Sequence, residues 1–318
     1  FSALCALERG DDGEPLATQP TSLSLLTLID SSLQDLPWEG LTTVASLFKG
    51  KVGRDFSVHL LGHRLDAHSS AATIKASEMR TVYDPYGDDV GSKIDGYERD
   101  SIADIVGKLS ETCPGGRRWV PLKGTPGLLT VEDWISSTQF PRPLPDAKGT
   151  VPPKPTISLY LYAPGRFGSL LSPTELAVLD LDSVVALQVV DQGLSDAAFR
   201  RQNTLDNTKR PMDIAKEDPL SVAALTCLAG VGCYNAHLWA TTLSAQKRFT
   251  EGFWRSFGSP GTSVLHALRV ASLHEGAPNS EASEGSERPE GVERPSLKPW
   301  IALSRSCFGI PSLTYSDA

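Results

Sequence analysis

The chain has 318 residues, 40% of them hydrophobic, and a formal net charge of −8, so it is long and apolar enough to bury a core. The acidic balance argues against a general nucleic-acid binder, because phosphate contacts need clustered Lys and Arg. Apolar runs stay well below the ~18 residues of a membrane span, so we expect a soluble protein. The sequence begins at Phe1, and we expect it to be part of a longer polypeptide.

A proline-rich stretch over residues 141–155 divides the sequence into two predicted lobes. Proline fixes φ and lacks a backbone donor, so this stretch predicts a stiff connector. The N-terminal lobe covers residues 21–145. The C-terminal lobe covers residues 146–274 and 297–318.

Two segments lack the apolar side chains that a packed core needs. Residues 1–20 are polar and acidic and predict a linker that enters the domain. Residues 275–296 have almost no apolar content, so burial cannot offset the entropy of ordering them. This segment predicts a disordered acidic loop.

Hydrophobic patterning in the N-terminal lobe predicts two strands and two helices. An apolar run over residues 23–30 ends in Asp30 and predicts a buried strand that feeds a functional loop. Apolar residues at helical spacing predict helices over 44–66 and 97–109, with a short strand over 81–83 between them.

The C-terminal lobe alternates strands with helices. The capping box from Ser172 to Glu175, with Pro173 at the first helical position, predicts a helix start, and Asp218-Pro219 predicts another. Further predicted elements are strands over 156–162, 184–190 and 233–239, a helix with Ala245, Phe249, Phe253 and Phe257 on one face, a last helix through Val264 and Leu268, and strand-like segments at 300–303 and 308–311. This alternation predicts an α/β layered fold with a largely parallel central sheet flanked by helices.

The order of these landmarks resembles separase-type peptidase domains and the related caspase-like domains called CHAT. The resemblance implies a caspase/separase-like layered fold whose parent activity is cysteine peptidase chemistry. The segments that carry it are residues 23–30, 33–41, 54–61 and 82–87, the strand 160–166, the strand 186–191, Ala229-Gly230 and residues 238–241.

The catalytic dyad that the resemblance implies is missing from this sequence. Such peptidases need a thiolate nucleophile and a histidine, each following one of two adjacent parallel strands. The histidine position falls on Pro164 or Gly165, and Asp191 stands where the cysteine would be. A carboxylate cannot replace the thiolate in this mechanism, so we predict a catalytically degenerate pseudo-peptidase without a cofactor or a metal.

A closer resemblance is to the C-terminal region of large ciliary proteins of the central apparatus. It implies a cytoplasmic protein located in the axoneme of a cilium or flagellum, with a structural role in a projection of the central pair. The implied partners are cilia- and flagella-associated proteins 54, 74 and 221, and calmodulin, within a microtubule-bound assembly. Neither nucleic acid nor membrane is an implied partner, and the partner-binding residues stay unknown.

An active cysteine hydrolase with a relocated nucleophile is the alternative function. Its local Cys/His cluster is Cys227 or Cys233 with His237. Two cysteines and a histidine in one short segment are also typical of a zinc site, but the segment is mostly apolar and a fourth ligand is not evident. We favour buried, reduced thiols that pack as small apolar side chains.

Two further groups of polar residues are weaker candidates. His59 and His63 lie four apart on a predicted helix, with His68 nearby, but the glutamate of a His-Glu-x-x-His motif is absent. The acidic loop over 84–89 suits a calcium-regulated module, yet it lacks the regular spacing of a calcium loop and predicts a turn.

Two single residues have a structural and a functional interpretation. Trp38 beside Pro37 is either a partner-binding anchor or packed core, and we favour packed core. Asp191 at a strand end is expected to cap the following turn through Gln192-Gly193.

Overall fold

The structure is a computed structural model and describes these residues: 25–30, 33–34, 36, 38–40, 44, 48, 52–68, 73–83, 93–94, 97–98, 101–112, 115, 120–121, 132, 135, 138, 156–163, 165–194, 196–259, 261–275, 305–310 and 313–316. No helix within these ranges is long and apolar enough to cross a membrane.

An eight-stranded sheet forms the centre of the fold, with the strand order β1-β2-β13-β11-β9-β8-β4-β7. Every neighbouring pair in it is parallel except β11 and β13. The strands are Leu25–Leu28 (β1), Val52–Asp55 (β2), Thr73–Lys75 (β3), Met79–Tyr83 (β4), Lys93–Ile94 (β5), Tyr97–Glu98 (β6), Val120–Pro121 (β7), Ile157–Tyr162 (β8), Val184–Val190 (β9), Gly193–Leu194 (β10), Cys233–His237 (β11), Thr241–Thr242 (β12), Arg305–Gly309 (β13) and Thr314–Ser316 (β14).

The antiparallel pair divides the sheet into two blocks that run in opposite directions. Strands β1, β2 and β13 form one block, and β11, β9, β8, β4 and β7 form the other. The carboxyl ends of β8, β9 and β11 therefore lie at one edge of the sheet, together with the first residue of β13. The carboxyl ends of β1 and β2 lie at the opposite edge.

Helices cover both faces of the sheet, as expected for strands that are buried over their whole length. One apolar cluster contains residues of the helices over 102–112, 243–257 and 264–275, and the other contains residues of the helices over 167–170, 173–176 and 219–228. The helices are Val58–Ala67 (α1), Ile102–Thr112 (α2), Phe167–Leu170 (α3), Pro173–Leu176 (α4), Asp196–Asp206 (α5), Pro211–Lys216 (α6), Pro219–Leu228 (α7), Leu243–Phe257 (α8) and Val264–Glu275 (α9).

Helix α8 packs on the sheet through an aromatic stripe. Phe249, Phe253 and Phe257 recur every four residues and so share one face of the helix. The ring centroid of Phe253 lies 6.0 Å from that of Phe249 and 5.0 Å from that of Phe257. The Trp254 ring meets Phe253 edge-on at 5.4 Å, so the stripe anchors α8 over the sheet.

The fold class predicted from the sequence is confirmed: α/β layers enclose a mostly parallel sheet. The strand over 184–190 has the predicted bounds, and the strand predicted over 156–162 begins one residue later. The capping box at α4 is complete, because the Ser172 hydroxyl and the Glu175 carboxylate each accept the other's backbone N–H. Asp218 caps α7 without a capping box: its carboxylate accepts the N–H of Ser221.

Two predicted helices are wrong at their first residues. The helix predicted over 44–66 contains the buried strand β2, and α1 begins only at Val58, where the Ser57 hydroxyl accepts the N–H of Leu60. The hydrophobic pattern does not reveal this boundary because β2 has the sequence Val-Gly-Arg-Asp, in which two of the four residues are charged. Arg54 and Asp55 are nevertheless buried, since each is paired with another side chain or hydrogen-bonded. The helix predicted from 97 begins at Ile102, since Tyr97 belongs to β6.

The strand before Asp30 is shorter and more exposed than predicted. It covers Leu25–Leu28 and is half-buried, because β1 is an edge strand of the sheet and Leu28 is largely exposed. Arg54 of β2 fixes the loop that follows β1: its guanidinium donates to the carbonyls of Gln34 and Leu36 and pairs with the Glu39 carboxylate. This loop is at the edge of the sheet away from the carboxyl ends of β8 and β9.

Trp38 is part of that loop and is half-buried. Its indole N–H donates to the carbonyl of Leu33 at 2.9 Å, which satisfies the polar atom locally. These contacts are those of a side chain that holds the loop together.

Strands from both predicted lobes contribute to the one sheet, and the lobe boundaries stay a prediction. The predicted linker over 1–20, the connector over 141–155 and the strand-like segment 300–303 lie outside the described residues. The disordered acidic loop predicted over 275–296 also lies outside them except for its first residue, Glu275, which is the last residue of α9.

Candidate functional site

The candidate site lies where β8 and β9 end side by side. These strands are parallel neighbours, so the residues that follow them meet at one edge of the sheet. The N–H of Gln192 donates to the carbonyl of Gly165 at 2.5 Å. Gly165 and Asp191, two of the three predicted dyad positions, are thus brought together; Pro164 lies outside the described residues.

Gly165 has a backbone conformation and surroundings that disfavour a side chain. Its φ of +93° lies in the region that L residues rarely adopt. A Cβ at this position would lie 3.1 Å from Nη2 of Arg201 and 3.3 Å from Oε1 of Gln202. A histidine at position 165 would therefore be both strained and crowded.

The carboxylate of Asp191 is buried and binds backbone N–H groups. Oδ2 accepts the N–H of Phe167, the first residue of α3, at 3.2 Å, and the backbone N–H of His237 also donates to this carboxylate. The contact with the turn that it is predicted to cap is longer: Oδ2 lies 3.5 Å from the side-chain nitrogen Nε2 of Gln192. The carboxylate also joins the ends of β9 and β11 to the start of α3.

Burial raises the pKa of Asp191 to about 6, even though the N–H of Phe167, the charge of Arg305 and the N–H of His237 act in the opposite direction. Oδ1 has no hydrogen-bond partner among the described residues. The carboxylate is thus ionised above about pH 6 and takes up a proton below it.

His237 and Arg305 form a buried pair beside Asp191. They are directly opposite each other in the antiparallel register of β11 and β13. Nε of Arg305 lies 3.2 Å from Nε2 of His237, and Nη2 lies 3.1 Å from Nδ1. The guanidinium carbon also lies 3.7 Å from the centroid of the Phe249 ring, within range of a cation–π contact.

The His237 ring is held neutral. Burial lowers its pKa well below the usual range, and the Arg305 charge lowers the pKa further. An imidazole that accepts from a guanidinium cannot take up a second proton without placing two cations in contact. This histidine is therefore a hydrogen-bonding core residue at neutral pH.

Gln246 of α8 completes the cluster. Its side-chain amide donates to the backbone carbonyl of Asp191 and is fully buried. We refer to Gly165, Asp191, His237, Gln246 and Arg305 together as the Asp191 corner. None of these five residues carries a thiol or a hydroxyl, so the corner itself offers no nucleophile of the Cys or Ser type.

The cysteines near His237 in sequence are separated from it in space. Cys227 packs in the apolar cluster with α3, α4 and α7, and burial raises the pKa of its thiol to about 12. Cys233 belongs to the cluster on the other face, with its Sγ 3.6 Å from Sγ of Cys307. A hydrogen bond with Cys233, together with burial, raises the pKa of Cys307 well above its usual value.

The three candidate histidines do not form one group. His59 and His63 are exposed on α1, whereas His68 is buried with Nε2 2.8 Å from the carbonyl of Gly230. Within the described ranges, no three His, Cys, Asp or Glu side chains are grouped so that they could hold a metal ion. The acidic loop over 84–89 lies outside those ranges.

Comparison with solved structures identifies the architecture. Two crystal structures of the Saccharomyces cerevisiae separase–securin complex match this chain with a TM-score of 0.55, at 12% and 11% sequence identity, over 92% of its length. The chain has a caspase-like fold similar to that of separase. Neither a family model nor a curated protein matches the sequence.

The match covers 16% of the separase chain, so this caspase-like region corresponds in length to a small part of that protein. At this level of identity the likeness describes the fold. It confirms the separase-type and caspase-like resemblance at the level of architecture.

Sequence reasoning found Asp191 and Gly165 but missed the roles of Arg305 and Gln246. His237 was noticed only as a possible partner of nearby cysteines. Arg305 is distant in sequence and lies beside His237 only because β13 is antiparallel to β11. The available signal is that Arg305 stands at the start of the short strand β13. This signal does not reveal which strand lies beside β13.

Proposed function

We propose that this chain is a catalytically inactive, caspase-like docking domain of an axonemal central-apparatus protein. The observation that carries the inactive part is the Asp191 carboxylate at the end of β9. It stands where the resemblance requires a cysteine nucleophile, and it already holds two backbone N–H donors.

The electrostatics of the corner support this proposal. Acyl transfer from a thiolate requires N–H groups aimed at the developing oxyanion. In this chain the N–H groups of Phe167 and His237 are directed at a carboxylate that belongs to the protein. A substrate carbonyl would compete with an internal anion for both donors.

The alternative, a cysteine hydrolase with a relocated nucleophile, needs an activated thiol. Activation lowers a thiol pKa through nearby cations or helix N-termini. Burial has the opposite effect on Cys227, whose pKa is raised to about 12. His237 contacts Arg305 and lies four positions after Cys233 on extended β11, about 13 Å along the strand.

The ciliary part of the proposal comes from the resemblance to the C-terminal region of cilia- and flagella-associated protein 46. That resemblance implies an axonemal location, with cilia- and flagella-associated proteins 54, 74 and 221 and calmodulin as expected partners. A caspase-like fold without its dyad suits such an architectural role, because the layered core can be retained for packing and docking alone.

Quantitative mass spectrometry of purified axonemes, with and without the central pair, tests the location. We expect the chain in the first preparation and its loss from the second. Equal abundance in both, or a purely soluble pool, would contradict the ciliary assignment.

A variant with the dyad restored tests the inactive part separately. We expect Asp191→Cys combined with Pro164→His to create little peptidase activity towards a denatured casein substrate. The reason is that a thiol introduced at the position of Asp191 would be buried, as the Asp191 side chain is, and burial raises the pKa of a thiol. Marked proteolysis by the double variant would show that the substrate and oxyanion pockets are still formed.

A further inference from the structure

Helix α5 lies over the end of strand β8 and is attached there mainly by polar side chains. Of its eleven residues, all of which the structure describes, Ala198 is the one that is buried. Helix α7, with ten residues, buries Val222, Ala223, Thr226 and Cys227. Apolar burial therefore contributes much less to the attachment of α5 than to that of α7.

Two side chains of α5 occupy the space beside Gly165. A Cβ at position 165 would lie 3.1 Å from Nη2 of Arg201 and 3.3 Å from Oε1 of Gln202. The same Oε1 accepts the backbone N–H of Arg166 at 3.4 Å. Helix α5 therefore covers one of the three predicted dyad positions.

An ion pair and a side-chain hydrogen bond join α5 to the segment that follows β8. Nη2 of Arg166 lies 2.5 Å from Oδ1 of Asp206, the last residue of α5. Nε2 of Gln202 donates to Oγ of Ser169 at 2.7 Å. The side chains of Arg166 and Asp206 are 24% and 23% exposed. An ion pair in contact with water contributes little to stability and weakens as salt is added.

Glu217 gives Arg166 a second partner that does not belong to α5. Oε2 of Glu217 accepts from Nε of Arg166 at 3.1 Å and from the hydroxyl of Ser169 at 2.6 Å, and Oε1 pairs with Nζ of Lys209. The Glu217 side chain is buried, so these contacts belong to the interior. If α5 separates, Asp206 moves into water and Arg166 stays paired with Glu217. Separation therefore leaves no buried charge without a partner, which would be strongly destabilising.

The segments on both sides of α5 have their own contacts with the rest of the chain. Before α5, strand β10 pairs with β12 in parallel. After α5, a hydrogen-bonded turn through Thr208 and Lys209 leads to Pro211, the first residue of α6. Helix α5 can thus separate from the end of β8 while the segments that flank it stay in place.

We propose that α5 is a salt-sensitive lid over Gly165 and that the ion pair between Arg166 and Asp206 is its latch. In the closed state, Arg201 and Gln202 cover the end of β8. Breaking the latch exposes the backbone of Gly165 and the guanidinium of Arg166. The lid is independent of the proposed docking function, because it is a movement within this chain.

Hydrogen–deuterium exchange of the purified chain, followed by mass spectrometry, tests the lid. Peptides that cover α5 and α7 are compared at about 0.1 M and 1 M NaCl, between which the Debye length falls from about 10 Å to about 3 Å. The variant Asp206→Asn removes the latch, and Gln202→Ala removes the hydrogen bond to Ser169. Asp213→Asn is the matched control, because it removes an ion pair with Arg210 that lies outside the latch.

In the wild type we expect the amides of α5 to exchange at least about ten-fold faster than those of α7, and about three-fold faster again at 1 M NaCl. Both α5 variants should exchange faster than the wild type at 0.1 M, and Asp206→Asn should lose most of the salt dependence. Neither substitution introduces a residue of lower helix propensity, so the faster exchange reports lost contacts with the segment after β8. Asp213→Asn should match the wild type.

Thiol labelling tests whether opening exposes the space under α5. The variant Ser169→Cys places a thiol beneath Gln202, and site-resolved mass spectrometry follows its alkylation by iodoacetamide. We expect the alkylation rate to rise about three-fold or more between 0.1 M and 1 M NaCl. Adding Asp206→Asn to this variant should give the faster rate already at 0.1 M.

Three results would overturn the proposal. Exchange of α5 at the rate of α7 would mean that the helix moves only with the core. Equal exchange of α5 at both salt concentrations, or the same acceleration in Asp213→Asn, would mean that the ion pair is not a latch. Fast exchange of α5 without a change in the alkylation of residue 169 would mean that the helix frays in place and does not act as a lid.

Discussion

The Asp191 corner and the surface around Val178 and Leu228 differ in which groups they bury: polar groups are buried at the corner, and apolar groups are exposed at the surface. At the corner, Asp191, His237 and Arg305 are buried, and each has at least one polar atom in contact with another side chain or the backbone. At the surface around Val178 and Leu228, both apolar side chains are largely exposed to solvent. The corner is closed to solvent, whereas the apolar side chains of Val178 and Leu228 are not covered by the described residues.

This difference separates stability from binding. A buried charge requires its partners, since a charge left without them in the interior is strongly destabilising. An exposed leucine contributes little to folding and becomes useful when a partner covers it. The buried groups of the corner therefore contribute to stability, whereas the exposed apolar side chains contribute little to it.

The largest expected effect is the loss of Arg305. Arg305→Ala removes the contacts with His237 and the Phe249 ring and leaves a cavity, so we expect a loss of about 3 to 5 kcal/mol in the free energy of unfolding. Urea unfolding followed by circular dichroism measures it. Arg305→Lys keeps the charge without the planar guanidinium, so its free energy of unfolding should lie between those of the wild type and Arg305→Ala. A loss below about 1 kcal/mol in Arg305→Ala would contradict a tightly packed corner.

A pH series with Asp191→Asn should give the next largest effect. The folded-state pKa of about 6 exceeds the usual value of 3.8, so the folded chain binds this proton more tightly than the unfolded chain. Stability from this group is therefore complete below about pH 4 and is lost as the pH rises through 6, by about 3 kcal/mol in total.

Asn cannot titrate, so the difference in unfolding free energy between wild type and Asp191→Asn should change by about that amount between pH 4 and pH 7. Urea unfolding at four pH values for both proteins measures it. Parallel stability curves would mean that the Asp191 carboxylate is more solvated than its buried position indicates.

Thiol labelling tests whether any of the buried cysteines is reactive. Cys227, Cys233 and Cys307 are all buried, so iodoacetamide should modify them about 100-fold more slowly in the native chain than in urea. Site-resolved mass spectrometry follows each cysteine. Fast native labelling of Cys227 or Cys233 alone would revive the alternative of a relocated nucleophile.

The smallest effect on the free energy of unfolding is expected at Leu228, the exposed last residue of α7. Leu228→Ser should change the free energy of unfolding by less than about 0.5 kcal/mol, because the side chain is 66% exposed. Leu179→Ser, a buried leucine near the end of α4, is the matched control and should cost about 3 kcal/mol or more. Similar losses in the two variants would show that Leu228 is already covered within the chain.

Much of the C-terminal half could be predicted because its signals are local. Uninterrupted apolar runs gave β8 and β9, and the helix starts at Ser172 and Asp218 follow from cap residues that bind N–H groups three positions on. The pairing of Gly165 with Asp191 at one edge followed from two adjacent parallel strands. These features depend on neighbours in sequence or on a general rule of parallel sheets.

The N-terminal half was predicted less well because its polar residues are buried. Arg54 and Asp55 on β2 read as surface groups of a helix, yet Arg54 holds the loop after β1 and Asp55 pairs with Arg64 inside the protein. Only the tertiary structure supplies those partners. Without them, two charged residues argue against a buried strand.

The sequence by itself determined the layered α/β class, the strands that meet at the candidate site and the absence of Cys and His at Gly165 and Asp191. The tertiary structure decided which residues surround that site. A single antiparallel strand, β13, brings Arg305 to His237 and sends the ends of β1 and β2 to the opposite edge. Strand direction is set by long-range packing, and no local pattern of side chains encodes it.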